Sequence, residues 1–493
     1  MDLISRLKEH SAELTDLNCI MATLQWDQEV MLPQEAGAER AGQLATLSAI
    51  IHRREVAAEL GDLLELAGRP ADGRSDADQA LIRVMRRNYE QNTRLPEEFV
   101  IEFARLTGRA LQAWVEARSN SDFGRFAPIL KQIVEMSRQK AEYLGYSEEP
   151  YDALLDLHEE GLTTNTVRTV FAGLKEPLSR MVRKAAALPS SSAGFAEDFV
   201  QSAQVRFAEH MLESIGFDFS RGRQDRSAHP FSTTLGHHDR RVTNRYHSKS
   251  IEFIFSALHE GGHALYELGI DQALAHTCLD NGVSLGIHES QSRLWENIIG
   301  RSLPFWQRFF PDLLRAFPVQ FKGVSVDNFV SAINTVKPSL IRVEADEVSY
   351  NLHVLIRFEL EQRLMAGSLT VDELPAAWNA LYRDYLGVEV NSDANGVLQD
   401  IHWAHGSIGY FPTYTIGNLA AAQIWNTFTS EHPDHAEIIA SGRLSVIREW
   451  LTSAIYAHGS IYPPGELLRR VTGESLDSSY YLDYLSLKYK ELV

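Results

Sequence analysis

Cysteine is almost absent: Cys19 and Cys278 are the only two in 493 residues. Two thiols so far apart in sequence make neither a disulfide framework nor a thiolate zinc site, and they fit a reducing compartment. Long apolar runs are missing too. No uninterrupted stretch approaches the ~18 residues of a membrane span. The opening Met1-Asp-Leu-Ile-Ser-Arg-Leu-Lys-Glu-His10 is charged and amphipathic, without the apolar centre of a signal peptide. Basic charge is in deficit: 47 Lys and Arg face 66 Asp and Glu, a net charge of −19. Such a surface favours solubility and argues against nucleic acid or an anionic membrane as partner. No fixed-period repeat recurs. These absences together lead to the expectation of a soluble, cytoplasmic protein.

What remains is ordinary globular composition, 44% hydrophobic and 23% charged, enough to bury a sizeable core. Up to about residue 185 the apolar spacing reads as helix after helix, beginning with Leu3, Leu7, Leu14 and Leu17. Trp26 to Pro33 breaks the pattern, and Gly68 to Ser75 is a turn cluster. Leu188-Pro-Ser-Ser-Ser-Ala-Gly194 is the clearest low-complexity connector and reads as a surface loop between helices. The expected organisation is a single helical unit, with an N-terminal half over about 1–190 and a second half, about 195–493, that carries the chemistry. Asp218 to Tyr246 loses the helical period and is the best place for a few strands. Helices are expected again over Ser284–Gly300, Phe305–Phe321, Val326–Val336, Leu340–Met365 and Leu374–Leu386, with Gly387 as a stop. Asn395 to Tyr414 is looser and rich in glycine and aromatics. The fold class is mainly α, well above the roughly one-third helix of an average domain, with a small β element.

That β element precedes the most informative stretch, His259-Glu-Gly-Gly-His263. Histidines at i and i+4 of a helix project from one face, so both imidazoles can reach one zinc ion, and Glu260 can stand beside it as general base. Ile251, Phe255, Leu258, Leu265 and Leu268 supply the apolar stripe of a helix, and Gly269 is placed to end it. The pair Gly261-Gly262 does not fit a helix interior, where it costs about 2 kcal/mol against alanine. It implies close approach by a substrate or by another helix.

A hydrolytic zinc site usually keeps three protein ligands. Gly269 and Tyr266 stand where a metzincin would carry its third histidine and a glycine. Glu267 lies in line with the histidines on the same helix, a poor way to surround a tetrahedral ion. Glu289, on a helix returning across the first, can present a carboxylate from the side, giving the two-His-plus-Glu set of a metallopeptidase. Glu296 is the runner-up and reads better as a supporting acid.

The residues at this point resemble a known family. His259-Glu-Gly-Gly-His263 with His288-Glu-Ser-Gln291 is similar to the carboxypeptidase Taq family of metallocarboxypeptidases. His229-Pro-Phe231 matches its HPF motif and Asp239-Arg-Arg-Val-Thr243 its DxRxT motif. Ile341-Arg-Val-Glu-Ala345 matches IRxxA, and Gly396-Val-Leu-Gln-Asp-Ile-His-Trp403 matches GxxQDxHW. Trp26-Asp27-Gln28 with Met31, Pro33 and Arg40 is similar as well, and the motifs follow the family's order along nearly the whole chain. One departure is the loop His276 to Asn281, which lacks the Gly-Thr-Pro character of the family's loop.

The resemblance implies a neurolysin-like helical fold with a deep substrate groove, a homodimer, and zinc-dependent removal of C-terminal residues from peptides with broad preference. Co²⁺ and Mn²⁺ are candidate substitutes for Zn²⁺. His259, His263 and Glu289 are the expected ligands and Glu260 the general base. A free α-carboxylate calls for an arginine fork; Arg342 is the first candidate, from the IRxxA resemblance, and Arg241 the second. Structural ion pairs with Glu344 and Asp239 are the competing readings. Tyr414 or His402 is expected to face the developing oxyanion, with Tyr410 and His405 in the same stretch, and His229 to line the site. His288 is read as orienting Glu289, and Trp26-Asp27 as packing. An endopeptidase or dipeptidyl carboxypeptidase would use the same zinc chemistry. A helical protein with purely structural zinc, and an oxygenase with two His and one carboxylate, fit the residues less well.

Overall fold

In the computed structural model, residues 2–70, 73–188 and 198–492 are described, and helix dominates them. From Pro189 onward, the connector expected at 188–194 lies outside the described residues. The chain groups into two compact units. One comprises Met1–Thr93, Ala193–Ile333 and Ile424–Gly473; the other comprises Arg94–Ser192, Asn334–Gln423 and Glu474–Val493. Their segments alternate along the sequence.

The first unit holds the small sheet, in the region that loses helical period. β1 (Gly222–Arg226) runs parallel to β3 (Asp239–Asn244), and β2 (Ser232–Gly236) pairs with β3 antiparallel, giving the order β1-β3-β2. Side chains of the central strand alternate between its two faces, as the strand period requires. On one face Arg240 donates to the Glu267 carbonyl (3.2 Å) and Asn244 to the Phe253 carbonyl (2.8 Å), both on the helix Glu252–Leu268. On the other face the Arg241 guanidinium lies 4.1 Å from the centroid of the Trp26 ring. The break expected over Trp26–Pro33 falls at the end of that stretch, because the first helix runs from Leu3 to Val30 and the next turn starts only after Pro33. Trp26 and Asp27 are packing residues, as expected: Asp27 pairs with Arg40 at 2.7 Å.

Helix Glu252–Leu268 is buried almost all round, which explains an apolar character that is not confined to one stripe. Its glycine pair faces two different neighbours. A Cβ on Gly261 would meet Leu212 Cδ2 and Ile215 Cδ1, each at 2.7 Å, on helix Gln201–Ile215. A Cβ on Gly262 would meet the Gln291 carbonyl oxygen at 2.6 Å and Ser292 Cα at 2.7 Å, on helix Leu285–Arg293. The close approach inferred from the sequence is therefore made by helices. Ser284 starts the second of these by accepting from Ile287 N (3.1 Å), an N-cap. The turn that follows, Leu294–Ile299, is π-helical, a form that concentrates at functional sites.

In the second unit, helix Glu347–Met365 is likewise buried nearly throughout. It begins later than the expected Leu340. The Asp346 carboxylate accepts from Val348 N and Ser349 N, both at 3.0 Å, and this cap fixes the start. Arg342 therefore lies on a short 3₁₀ turn, Arg342–Glu344, ahead of the helix. Helix Leu374–Leu386 ends at Gly387, whose φ of 68° is left-handed, as the stop signal requires.

Substituting the two glycines separates their roles. Gly261→Ala presses on the flexible ends of Leu212 and Ile215, whereas Gly262→Ala presses on backbone. Overpacking costs about 1–3 kcal/mol, and calorimetry should place Gly262→Ala at the upper end and Gly261→Ala well below it. Equal losses would show that the two contacts are equally soft.

Candidate active site

Helix periodicity brings the two histidine rings together, with centroids 4.9 Å apart. The return helix adds Glu289. Its Oε2 lies 3.7 Å from His259 Nε2 and 3.5 Å from His263 Nε2. One ligand atom from each of these three residues falls within 4.8 Å of the others.

The remaining ring nitrogens are held by partners. His259 Nδ1 is 2.9 Å from Glu296 Oε2, so it donates to that carboxylate. His263 Nδ1 is 2.6 Å from His288 Nδ1, and His288 Nε2 is 2.8 Å from Glu267 Oε1. With His288 donating to Glu267, its Nδ1 accepts from His263. Both ligand histidines then turn an Nε2 lone pair toward Glu289. Three electron-pair donors aimed at one point repel unless a cation lies among them, so the donor set fits a divalent metal.

These partners revise the reading of the neighbours. His288 supports His263 rather than Glu289. Glu296 is the supporting acid, and Glu267 is the far end of the His288 chain. Glu289 is instead held by Arg293, whose Nε lies 2.7 Å from Oε1, and by Ser292 Oγ at 3.2 Å from Oε2. Arg293 also reaches Glu296 (3.2 Å), as does Arg301 (3.4 Å). Arg293 was not foreseen, although its i+4 spacing from Glu289 is a readable pairing signal.

Burial sets the charge states. It pushes the Glu260 carboxyl up to about 7, helped by the nearby Glu289 and Glu296 charges and opposed by His259. Burial alone would also raise Glu289, but Arg293 and His259 outweigh it and hold the carboxyl far below the usual range. For His263 burial dominates and lowers the ring to about 4. Burial works against protonated His259 as well, yet the Glu289 and Glu296 charges leave it raised.

The chain's relatives agree with this chemistry. Residues 6–489 match the family model described as carboxypeptidase Taq (M32) metallopeptidase. The chain belongs to this family. It is similar to carboxypeptidase 1 of Bacillus subtilis, with 39% identity over 100% of this chain and 97% of the relative. Thermostable carboxypeptidase 1 of Thermus thermophilus is 40% identical over 99% of this chain and 98% of its own. The crystal structure of an M32 carboxypeptidase from Deinococcus radiodurans R1 superposes with a TM-score of 0.96 at 42% identity, covering 99% of each chain. The protein is thus a metallocarboxypeptidase of the carboxypeptidase Taq family, mainly helical with a small sheet, and the family implies a divalent metal. Among the described residues no helix is long and apolar enough to cross a membrane.

The other carboxypeptidase Taq motifs fall into two clusters. HPF and DxRxT interlock within the first unit: Thr243 Oγ1 accepts from Phe231 N (2.9 Å) and lies 2.7 Å from Ser227 Oγ. His229 is exposed, and its carbonyl accepts from Ser227 Oγ. Arg241 gives two donors to Asp239, at 2.9 and 2.8 Å, the ion pair that competed with a substrate role. The departing loop is anchored: Cys278 N donates to Ser11 Oγ (2.8 Å), and Asp280 pairs with His237 (2.9 Å) and Arg240 (3.1 Å).

IRxxA and GxxQDxHW meet in the second unit. Arg342 is buried and donates from Nε (3.0 Å) and Nη2 (2.9 Å) to Asp400 Oδ1, so its partner is Asp400 rather than Glu344. Arg357 takes the other oxygen of Asp400. Two guanidiniums share one carboxylate, which leaves excess positive charge there. Arg342 lies 4.8 Å from the Tyr414 ring centroid, and Tyr414 Oη is 3.1 Å from His402 Nε2. Burial, with help from Arg342 and Arg357, lowers His402 to about 3, so its ring is neutral near pH 7. Its buried Nδ1 has no partner among the described residues. Asp400 had no assigned role in the sequence, where nothing marks it as the counter-ion of two distant arginines.

Metal binding should follow the supporting contacts. Glu296→Ala removes the acceptor of His259 Nδ1, and loss of such a partner typically costs about 10–100-fold in metal affinity. Chelator competition measures this, and unchanged affinity would remove Glu296 from the site. Protons should compete mainly at His259, whose ring is raised, and little at His263, already neutral. Affinity should therefore rise with pH through the titration of His259 and level off above it, as read by metal titration across a pH series.

Proposed function

We propose that the protein is a zinc-dependent carboxypeptidase that releases C-terminal residues from peptides with broad preference. His259, His263 and Glu289 hold the metal, and Glu260 is the general base. The observation that carries this reading is the convergence of three metal-ligand atoms beside a buried carboxyl raised to about 7. When bound, zinc supplies Lewis acidity to the scissile carbonyl and to the attacking water. Glu260 takes the water's proton and passes it to the leaving amine; a carboxyl poised near neutrality can do both. Arg293 keeps Glu289 ionised as a ligand. Glu296 and the His288–Glu267 pair keep the two imidazoles turned toward the metal.

Arg342 is our choice for the anchor of the substrate's α-carboxylate. The excess positive charge of the Arg342–Asp400–Arg357 cluster supports it, because an anion is the group such a cluster lacks. Tyr414 and His402 are proposed to face the reacting carbonyl, supported by their hydrogen bond and by the neutral His402 ring. His229 and Arg241 are weaker candidates for substrate contact; the Arg241 fork is already given to Asp239. Co²⁺ and Mn²⁺ are candidate substitutes, since an imidazole–carboxylate set does not select strongly among them. The whole chain acts as one peptidase unit in this reading. A cytoplasmic location fits the two free cysteines, and a homodimer follows from the family resemblance of the motifs.

Three measurements test these roles. The metal-loaded protein and one unmodified peptide should give a product ladder shortened from the C-terminus, read by mass; internal fragments would exclude the exopeptidase reading. Glu260→Gln should keep its metal and lose about 10²–10⁴-fold in kcat, the usual worth of a general base; wild-type turnover would overturn that role. Arg342→Ala should depress hydrolysis of free-acid peptides without altering metal content. An equal loss on C-terminally amidated peptides would argue against carboxylate anchoring.

A further inference from the structure

Helix Leu3–Val30 turns Ser11, Thr15, Asn18 and Ala22 toward a cavity of about 360 Å³ within the first unit. Residues three or four apart share one helix face, so the lining follows the helix for about 16 Å at 1.5 Å per residue. The other walls come from the ends of helices Gly37–Glu55, Ala58–Ala67 and Asp76–Arg94 and from the loop His276–Asn281. No metal ligand lines the cavity, and neither does Glu260, so it is separate from the metal site.

Its wall is mostly uncharged. Leu14, Leu60 and Met85 are apolar, and the chain's two cysteines, Cys19 and Cys278, both lie here. Burial pushes both thiols up, Cys278 to about 11, so they are neutral near pH 7 and line the cavity as small apolar groups. Tyr89 is given its place by a glycine: a Cβ on Gly61 would collide with the Tyr89 hydroxyl. That hydroxyl and the Asn88 side-chain amide make no hydrogen bond to a described residue.

The charge is one-sided. Among the described lining residues there is no Lys, Arg or His, but there are two acids, Glu55 and Asp280. Asp280 is neutralised by His237 (2.9 Å) and Arg240 (3.1 Å). Glu55 is half-buried and has no ion-pair partner among the described residues. It accepts from Asn92 Nδ2 at 3.3 Å, and His52 is the nearby basic group. A carboxylate left without a cation in such a place lacks the group that would offset its burial. A bare divalent ion is a poor match, because it wants several charged oxygens. Among the described residues three such donors converge only at His259, His263 and Glu289. An ammonium on an aliphatic chain matches both parts of the wall. Its three N–H donors find the Glu55 carboxylate, the Asn88 carbonyl and the Tyr89 hydroxyl, with the Tyr89 ring as a cation–π face. Its chain covers Leu14, Leu60 and Met85.

We propose that this cavity is a binding site for a small aliphatic amine, with Glu55 as the counter-ion of its ammonium group. Free amino acids are excluded, because their carboxylate would stand beside Glu55 with no basic side chain to meet it. The site is independent of the peptidase chemistry proposed above.

Pentylamine is the probe. Norleucine, the same chain bearing a carboxylate, and pentanol, the same chain without charge, are the controls. Calorimetric titration into the full-length, metal-loaded protein should show one saturable site for pentylamine, bound at least several-fold more tightly than either control. Both cysteines line the cavity, so their alkylation by iodoacetamide, followed by peptide mass, reports on this place: pentylamine should slow it and norleucine should not. Glu55→Gln keeps the shape of the wall and should lose the preference for pentylamine over pentanol, with an unchanged melting temperature in the absence of amine. Ala22→Phe, which fills the cavity, should also lose binding and decides the case if Glu55→Gln does not fold. Pentanol bound as tightly as pentylamine by the wild type would overturn the ammonium assignment. Amine binding that survives Ala22→Phe would place the amine elsewhere and overturn the site, as would no binding at millimolar concentration.

Discussion

The site depends on how closely two helices can approach at Gly262. Helix Glu252–Leu268 presents both histidines, and helix Leu285–Arg293 presents Glu289. The carboxylate can stand 3.5 Å from His263 only because the backbone of Gln291 and Ser292 passes over the flank of Gly262, where no side chain intrudes. A short carboxylate has little reach, so the position of the backbone decides the position of the ligand atom. A helix glycine costs stability against alanine, and that cost is offset by fixing the third donor.

Electrostatics has to be balanced after the helices meet. Glu260, Glu267 and Glu289 are buried, and Glu296 beside them is nearly so, with 13% of its side chain exposed. Left alone, buried acids take up protons and become neutral. Arg293 faces Glu289 and Glu296, Arg301 faces Glu296, and Arg240 lies 3.9 Å from Glu267. Among these four acids Glu260 is the one raised, because burial and neighbouring carboxylates dominate its surroundings. The arrangement separates carboxylates that must remain ionised from one that can exchange a proton.

The legible part of the sequence was the part set by local spacing. The i, i+4 histidines, the loss of helical period over 218–246, the Gly387 stop and the need for close approach at Gly261-Gly262 all follow from periodicity or backbone freedom. What was not legible depends on contacts between distant segments. His288 immediately precedes Glu289 on the same helix but turns its ring to His263, because Glu267 on the neighbouring helix draws its Nε2. The ion-pair partner nearest Arg342 in the sequence is Glu344, but the partner in the fold is Asp400, 58 residues on. Asp346 also makes the expected long helix start late, a cap visible in sequence but masked by apolar periodicity on both sides.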